Sequence, residues 1–189
     1  MSQSEEIFSW ETPPELWRGL RPTGSIWSGS VVSIFIAPDP SGAMVSVPEA
    51  RAFADRGLEG DRFFRESWSA ANRPDKAVSL IEEEVLELAA KELGVASIAD
   101  KTRRNIVTGG VPLVELLQRE FVIGSVVMRG IRLFEPCGHL EKISKVPGIF
   151  KTLERRSGLK AAILSDGVIR VGDKIALQQG SHISAARVG

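Results

Sequence analysis

The chain has little cysteine, little histidine and no net charge. It contains one Cys and two His residues, and its 24 Lys and Arg residues match its 24 Asp and Glu residues. A single cysteine cannot form an internal disulfide, so the fold needs no oxidising compartment. A balanced charge argues against a general nucleic-acid or membrane-surface binder, because both need a basic excess.

Long apolar runs and a secretory signal are also missing. The longest apolar stretches, such as residues 31–37, are far too short to span a bilayer. Residues 1–17 are acidic and lack the basic-then-apolar order of a secretory signal. We therefore expect a cytoplasmic protein with neither a membrane nor a nucleic acid as its partner.

Short β-type segments dominate the chain from residue 29 onward. Strands are predicted at residues 31–37, 43–47, 77–81 and 105–108. Residues 121–137 indicate two or three more β segments, broken at Gly124 and Gly130. Residues 161–178 have the pattern of three strands and two turns, with Asp166-Gly167 as a hairpin signal.

Helical patterns are fewer. Residues 82–93 have acidic residues in the first turn, apolar positions at helical spacing and Gly94 as a stop, which predicts a helix. A second helix is predicted at 149–157, a short one at 49–54 and a helical turn at 112–117. Many short strands with inserted helices predict a mainly β fold, a closed or partly closed β-barrel with helices at its rim.

The chain is expected to form one main domain. Residues 1–28 contain Trp10, Trp17 and Trp27, which argue against a free tail and favour an irregular arm packed on the domain. Residues 29–180 are predicted to form the barrel, and residues 181–189 a frayed tail.

Residues 56–64, RGLEGDRFF, place Gly57 and Gly60 around Glu59 and end in the pair Asp61-Arg62. Glycines at this spacing permit left-handed backbone or a close approach to a ligand, and an arginine just beyond suits an anion. The alternative is a tight turn with a surface Asp–Arg pair. From this stretch alone both interpretations stay open.

Residues 101–110, KTRRNIVTGG, set Arg103, Arg104 and Asn105 at the entrance to a predicted strand. Guanidinium groups offer forked donors for phosphate, and the amide can donate and accept. The alternative is a pair of solvated arginines followed by a turn-forming asparagine.

Cys137 follows a predicted strand and lies between Pro136 and Gly138. It could be a buried hydrophobe, a metal ligand or a reactive thiol, and reactivity would need positive neighbours or a metal. A structural zinc site is disfavoured, because His139 and His182 are the only other strong ligands of the Cys/His type. His139 itself is predicted to be a hydrogen-bonded loop residue or a residue that supports the site without contacting the ligand.

Taken in order, these stretches resemble the MOSC domain family, named for the C-terminal domain of molybdenum cofactor sulfurase. The segments of the sequence that carry the resemblance are GLEGDRF, VSLIEEEVLEL, RRNIVTGG, FVIGSVVMRGIRLFEPC and GVIRVGDKI. The resemblance implies a MOSC-type barrel that binds a molybdopterin-type molybdenum cofactor. It implies Cys137 as the catalytic residue and the sulfur ligand of the metal. The cofactor-binding residues that it implies are Gly57, Glu59, Gly60, Asp61, Arg62, Arg103 and Asn105.

The function that the resemblance implies is an oxidoreductase component that reduces N-hydroxylated small molecules. The chain lacks the extra N-terminal β domain and the iron–sulfur domain of larger members, so a separate redox protein would have to supply electrons. The alternatives are a sulfur carrier or cofactor-delivery module, with a Cys137 persulfide passed to a protein partner, and an anion-binding barrel without chemistry.

Overall fold

The computed structural model describes residues 27–64, 74–136 and 138–178. The predicted N-terminal arm falls outside the described residues except for its last two, and the predicted tail at 181–189 falls wholly outside them. The domain boundaries at 28 and 180 therefore stay predictions.

Short strands make up most of the described chain, as the sequence predicts. The strands are β1 (Gly29–Ile36), β2 (Val45–Val47), β3 (Glu49–Phe53), β4 (Gly57–Leu58), β5 (Val78–Glu82), β6 (Ile106–Gly109), β7 (Glu120–Ile123), β8 (Val126–Leu133), β9 (Leu159–Ile163), β10 (Gly167–Arg170) and β11 (Lys174–Leu177). The helices are α1 (Glu83–Leu93), α2 (His139–Ser144) and α3 (Ile149–Leu153), with 3₁₀ turns at Pro74–Lys76, Ala99–Lys101 and Leu113–Leu116.

Seven of these strands close into a barrel. Their order is β11, β7, β8, β9, β5, β6 and β1, and β1 closes the ring by pairing with β11. β5 and β6 run parallel, whereas the other neighbours in the ring are antiparallel. β2 pairs with β1 outside the ring. The predicted mainly β class and the closed barrel are confirmed.

Alternation along the strands separates two hydrophobic cores. On β5 and β6, Leu80 and Ile106 belong to the core inside the barrel. Their neighbours Ile81 and Val107 belong to a second core, which includes residues of α1 and α3. Successive strand side chains point to opposite faces, so these two paired strands are buried on both sides.

A separate three-stranded sheet corrects two predictions. Residues 49–54 were predicted to be helical, but β3 lies there between β10 and β4. Along β3, the small side chains of Ala50 and Ala52 are buried and their neighbours are more exposed, which is strand periodicity. The predicted hairpin at Asp166-Gly167 is also wrong: both edges of β9 are already paired in the barrel, so β10 pairs with β3.

The strand break predicted at Gly130 is wrong as well. β8 continues through Gly130 with a shift in register against β9 just after it. A Cβ at Gly130 would lie 2.1 Å from the carbonyl oxygen of Leu116, so glycine is needed where the chain after β6 crosses β8.

The helices differ in length from their predictions. α1 ends at Gly94, whose φ of 67° provides the left-handed cap that the sequence indicates. α3 stops at Leu153 rather than 157, because Glu154, with φ of −55° and ψ of 130°, leaves the helical conformation. His139, predicted in a loop, begins α2. Among the described helices none has the length and apolarity to cross a membrane.

Candidate functional site

A cavity of about 460 Å³ lies at one end of the barrel, where β1 and β8 end and β5, β6 and β9 begin. Its walls are partly apolar, with Phe63, Val78, Phe134, Leu140 and Ile143 among the lining residues. The charged side chains of the lining are Arg62, Lys76, Arg103, Arg104, Lys160 and Asp75. Five cations against one carboxylate, in a chain without net charge, make this cavity suited to an anionic ligand.

The Gly-rich loop after β4 holds Arg62 at the cavity. Gly57 and Gly60 have φ values of 105° and 79°, so the left-handed backbone that the sequence predicts is present. The Arg62 backbone N–H donates to the Ala37 carbonyl at 2.7 Å, which ties the loop to the end of β1. Arg62 lines the cavity, whereas Gly57, Glu59 and Gly60 do not, and Glu59 is exposed.

Asp61 is buried and lies behind the lining. Its Oδ2 accepts hydrogen bonds from the Ala37 backbone N–H at 2.9 Å and from the Asn105 amide at 3.0 Å, and its Oδ1 accepts one from the Phe63 N–H. The Asp61–Arg62 pair considered from the sequence is present, with 3.7 Å between Asp61 Oδ2 and the Arg62 guanidinium, but it is buried rather than on the surface, because the two side chains are 3% and 10% exposed.

Asn105 lines the cavity, but its amide is fully used by the protein. Its Nδ2 donates to the Phe35 carbonyl and to Asp61, and its Oδ1 accepts from the N–H and hydroxyl of Ser79. An amide has two donor hydrogens and two acceptor positions, and all four are occupied. Asn105 therefore joins the Gly-rich loop to β1 and β5.

Arg62 and Arg103 form one cationic group. Arg103 donates to the carbonyl oxygens of Pro40 and Gly42 and adopts a φ of 64°. Burial lowers the pKa of both guanidinium groups, and the charge of Asp61 opposes that decrease. Arg62 stacks over Phe63, with 4.5 Å between its guanidinium carbon and the ring centroid. Arg103 and Arg104 are 7% and 2% exposed, so neither is solvated in the way that the alternative interpretation of residues 101–110 supposes.

Arg104 has a more internal position. It is 2% exposed and donates to the carbonyl oxygens of Thr102 and Ser157 and to the Ser157 hydroxyl. Its guanidinium carbon lies 3.4 Å from the centroid of the Phe134 ring. These contacts hold Ser157 and Phe134 against the strand entrance, so Arg104 is a structural element of the wall as well as a charge.

Lys160, Lys76 and Asp75 were missed by the sequence analysis. Lys160 is half-buried, and it is the only charged residue of β9, LKAAI. A lysine within an otherwise apolar buried strand is a signal that the sequence offered. Lys76 and Asp75 belong to a single 3₁₀ turn and carry no comparable pattern.

Known proteins provide an independent comparison. The sequence model of the MOSC domain matches residues 60–176, which is more than half of the chain. The chain belongs to the MOSC domain family. The family match spans the loop from Gly60, the strand entrance at Asn105 and the barrel through Ala176. No curated protein matches the sequence.

Solved structures share the MOSC fold with this chain. YuaD from Bacillus subtilis superposes with a TM-score of 0.65 and 16% identity, covering 79% of this chain and 97% of that one. YiiM from Geobacillus stearothermophilus has a TM-score of 0.62 and 18% identity, covering 80% and 75%. YiiM from Escherichia coli has a TM-score of 0.58 and 17% identity, covering 82% and 71%. At these identities the likeness shows the fold alone.

Cys137 lies outside the described residues, so its predicted place at the barrel rim stays a prediction. The chain on either side of it does line the MOSC cavity, since Pro136 and His139 are among the lining residues. The same cavity includes Arg62, Arg103 and Asn105, which are distant from this segment in sequence. Within the described ranges, no cluster of three or more His, Asp or Glu side chains could hold a metal ion by itself.

Proposed function

We propose that this MOSC domain binds a molybdopterin-type cofactor in the cavity and serves as an oxidoreductase component for N-hydroxylated small molecules. The observation that supports the proposal is the concentration of cations around a cavity that the segment flanking the only cysteine also lines. MOSC domains are associated with molybdenum cofactor in general, and the cavity has the chemistry that such a ligand requires.

The residues present fit such a group. The cavity volume is within the range of small-molecule sites, and apolar walls with a few polar groups are typical of them. Arg62 and Arg103 would hold the phosphate through charge-assisted hydrogen bonds. Cys137 would supply a thiolate, a soft ligand that suits a metal bound to sulfur. When bound, the cofactor would supply reversible two-electron redox chemistry at the metal.

The protein's own residues have three roles in this proposal. The cations favour an ionised Cys137 thiol and an anionic ligand at the same time. Asp61 and Asn105 act as positioning residues, because their polar groups are used inside the protein to fix Arg62 and the strand entrance. The apolar side chains Phe63, Leu140 and Ile143 exclude water from part of the cavity.

The proposed reaction needs a protein partner. Reduction of an N-hydroxyl group breaks the N–O bond, consumes two electrons and two protons, and releases water. One cysteine cannot bind an iron–sulfur cluster, so we propose that a separate cytoplasmic redox protein supplies the electrons.

Metal analysis tests the proposal. We expect the full chain, made in a host that synthesises molybdenum cofactor, to contain molybdenum when measured by inductively coupled plasma mass spectrometry. Cys137→Ser should lose the metal yet melt at the temperature of the metal-free parent, because a bound cofactor itself raises the melting temperature. Parent protein from a host without the cofactor pathway is the control. Molybdenum-free parent protein from the competent host would contradict the proposal, and so would full retention by Cys137→Ser.

A sulfur carrier is the second candidate, favoured by a solitary cysteine whose chain neighbours Pro136 and His139 line the cationic cavity. In that function Cys137 carries a persulfide. A thiolate of the partner protein attacks the terminal sulfur, the S–S bond at Cys137 breaks, the Cys137 thiolate leaves and the partner carries the new persulfide. Intact-protein mass spectrometry distinguishes the two, because a persulfide adds one sulfur atom that a reductant removes. A protein with neither metal nor added sulfur would support an anion-binding barrel without chemistry.

A further inference from the structure

The corner of the cavity around Phe134 has its own group of charges. Phe134 follows β8, and its ring centroid lies 3.4 Å from the Arg104 guanidinium carbon and 4.6 Å from the Lys160 ammonium nitrogen. All three residues line the cavity. An aromatic ring attracts cations through its negatively polarised face, so it holds two like charges near each other that would otherwise repel.

Asp75 is the carboxylate of this corner. Its Oδ2 accepts hydrogen bonds from Arg132 at 2.9 and 3.1 Å and lies 3.5 Å from the Lys160 ammonium group. One carboxylate thus pairs with two cations, Arg132 and Lys160, and the charge of Arg104 also acts on Lys160. The corner keeps an excess of positive charge that Asp75 does not neutralise.

Lys160 is the member of the corner with unused hydrogen-bonding capacity. An ammonium group has three donors, and Asp75 at 3.5 Å is its only ion-pair partner among the described residues. Its side chain is 15% exposed, so water solvates it poorly. Burial lowers the pKa of Lys160, and the charges of Arg132 and Arg104 add to the decrease against the effect of Asp75.

This corner is electrostatically distinct from the group at the Gly-rich loop. Arg62 and Arg103 interact with each other and with Asp61, whereas Lys160 interacts with Arg132, Asp75 and Arg104. The same cavity therefore contains two cationic groups, each with its own carboxylate.

We propose that Lys160 forms a second anion subsite, flanked by Phe134 and Arg104, that accepts a phosphate or carboxylate group. The cavity then binds two separate anionic groups, one at Arg62 and Arg103 and one at Lys160. The subsite deepens the proposed function and rests on it for its biological role: either a second anionic group of the cofactor or an anionic group of the substrate occupies it.

A phosphate titration followed by NMR tests the subsite on the metal-free full chain. We expect inorganic phosphate to shift two sets of backbone amide signals, those of Phe134 and Lys160 and those of Arg62 and Arg103. Lys160→Met should weaken binding at the first set by roughly tenfold or more, the loss expected for a charge-assisted hydrogen bond, and leave the second set responsive. Lys160→Arg should retain both responses.

Two controls keep the result interpretable. Lys174→Met removes an exposed lysine of β11 that does not line the cavity, and it should titrate like the parent. Lys160→Gln replaces Lys160→Met if the latter does not give a folded spectrum. The subsite is refuted if phosphate leaves the Phe134 and Lys160 signals unmoved, or if the neutral variants respond as the parent does.

The source of the anion is settled by repeating the titration with cofactor-loaded protein. If phosphate no longer shifts the Phe134 and Lys160 signals, a second anionic group of the cofactor occupies the subsite. If the shifts persist, the subsite serves an anionic substrate. The first titration needs no molybdenum. An absent phosphate response at Lys160 therefore contradicts the subsite alone, whereas an absence of molybdenum from the parent protein contradicts the proposed function.

Discussion

Glu82 lies at the end of β5, is 3% exposed and does not line the cavity. Its Oε1 accepts a hydrogen bond from the Leu113 N–H at 3.1 Å, and its Oε2 has no hydrogen-bond partner among the described residues. Burial raises the pKa of Glu82 from 4.5 to about 8, and the charge of Glu84 adds to the increase. Folded protein therefore keeps this carboxyl protonated at neutral pH.

The stability consequence follows from proton linkage. Between pH 4.5 and about 8 the folded state binds a proton at Glu82 that the unfolded state does not bind, so the free energy of unfolding falls as pH rises. The shift corresponds to on the order of 5 kcal/mol over the whole range, and about 3 kcal/mol of it is lost by pH 7. At pH 5 the loss is below about 1 kcal/mol.

Glu82→Gln removes this dependence, because an amide does not ionise. The variant's stability relative to the parent should increase by about 2–3 kcal/mol between pH 5 and pH 7. An amide without an acceptor costs about 1–3 kcal/mol, but that cost is the same at both pH values and cancels in the comparison. Urea unfolding at pH 5, 6, 7 and 8 measures the difference.

Glu87→Gln is the matched control, since Glu87 is exposed on α1. It should follow the parent's pH profile closely. Parallel profiles for the parent and Glu82→Gln from pH 5 to 8 would refute the reasoning, because they would show that Glu82 ionises alike in the folded and unfolded states.

Two further predictions concern the Gly-rich loop and the adjacent arginines Arg103 and Arg104. Gly57→Ala should destabilise the protein by about 1–3 kcal/mol in thermal melts and by more than Gly94→Ala, because both have positive φ but a Cβ at Gly57 also meets the Ala77 carbonyl at 3.2 Å. Equal losses would contradict the steric explanation. Arg104→Ala should cost about 1–3 kcal/mol of stability for each of the Thr102 and Ser157 carbonyls that lose this buried donor. Arg103→Ala should instead weaken binding of a phosphorylated pterin by about 1.5–3 kcal/mol in calorimetry, and the reverse order of effects would reject the two assignments.

The sequence predicted the barrel well because barrel strands carry local signals. β1 is an apolar run that stops before Pro38, and α1 has its acidic first turn and Gly94 as a cap. β3 carried a weaker signal, since its buried residues are two alanines, which also suit helices. Its partner β10 lies more than a hundred residues further along the chain, and no local pattern reports that pairing.

The candidate site was predicted in part for a similar reason. Arg62 and Arg103 belong to motifs that can be recognised in the amino-acid sequence, at residues 56–64 and 101–110, and both line the cavity. Lys160 and Asp75 are single residues outside any motif. Their contact forms only because the fold brings β9 next to a 3₁₀ turn that is distant in sequence, so the sequence does not predict it. The positioning role of Asn105 could not be predicted either. The presence of an asparagine in the sequence does not show whether its side-chain amide binds a ligand or, as here, other groups of the protein.

The four hydrogen bonds of the Asn105 side chain have a consequence for how a ligand is received. They join β1, β5 and the loop that carries Arg62 through one buried amide. The loop therefore has little freedom left to lose when a ligand arrives, and binding need not include the entropic cost of ordering it. Differences in affinity among anions should then depend on the contacts that each anion makes with the cavity, and not on differences in the cost of ordering the loop.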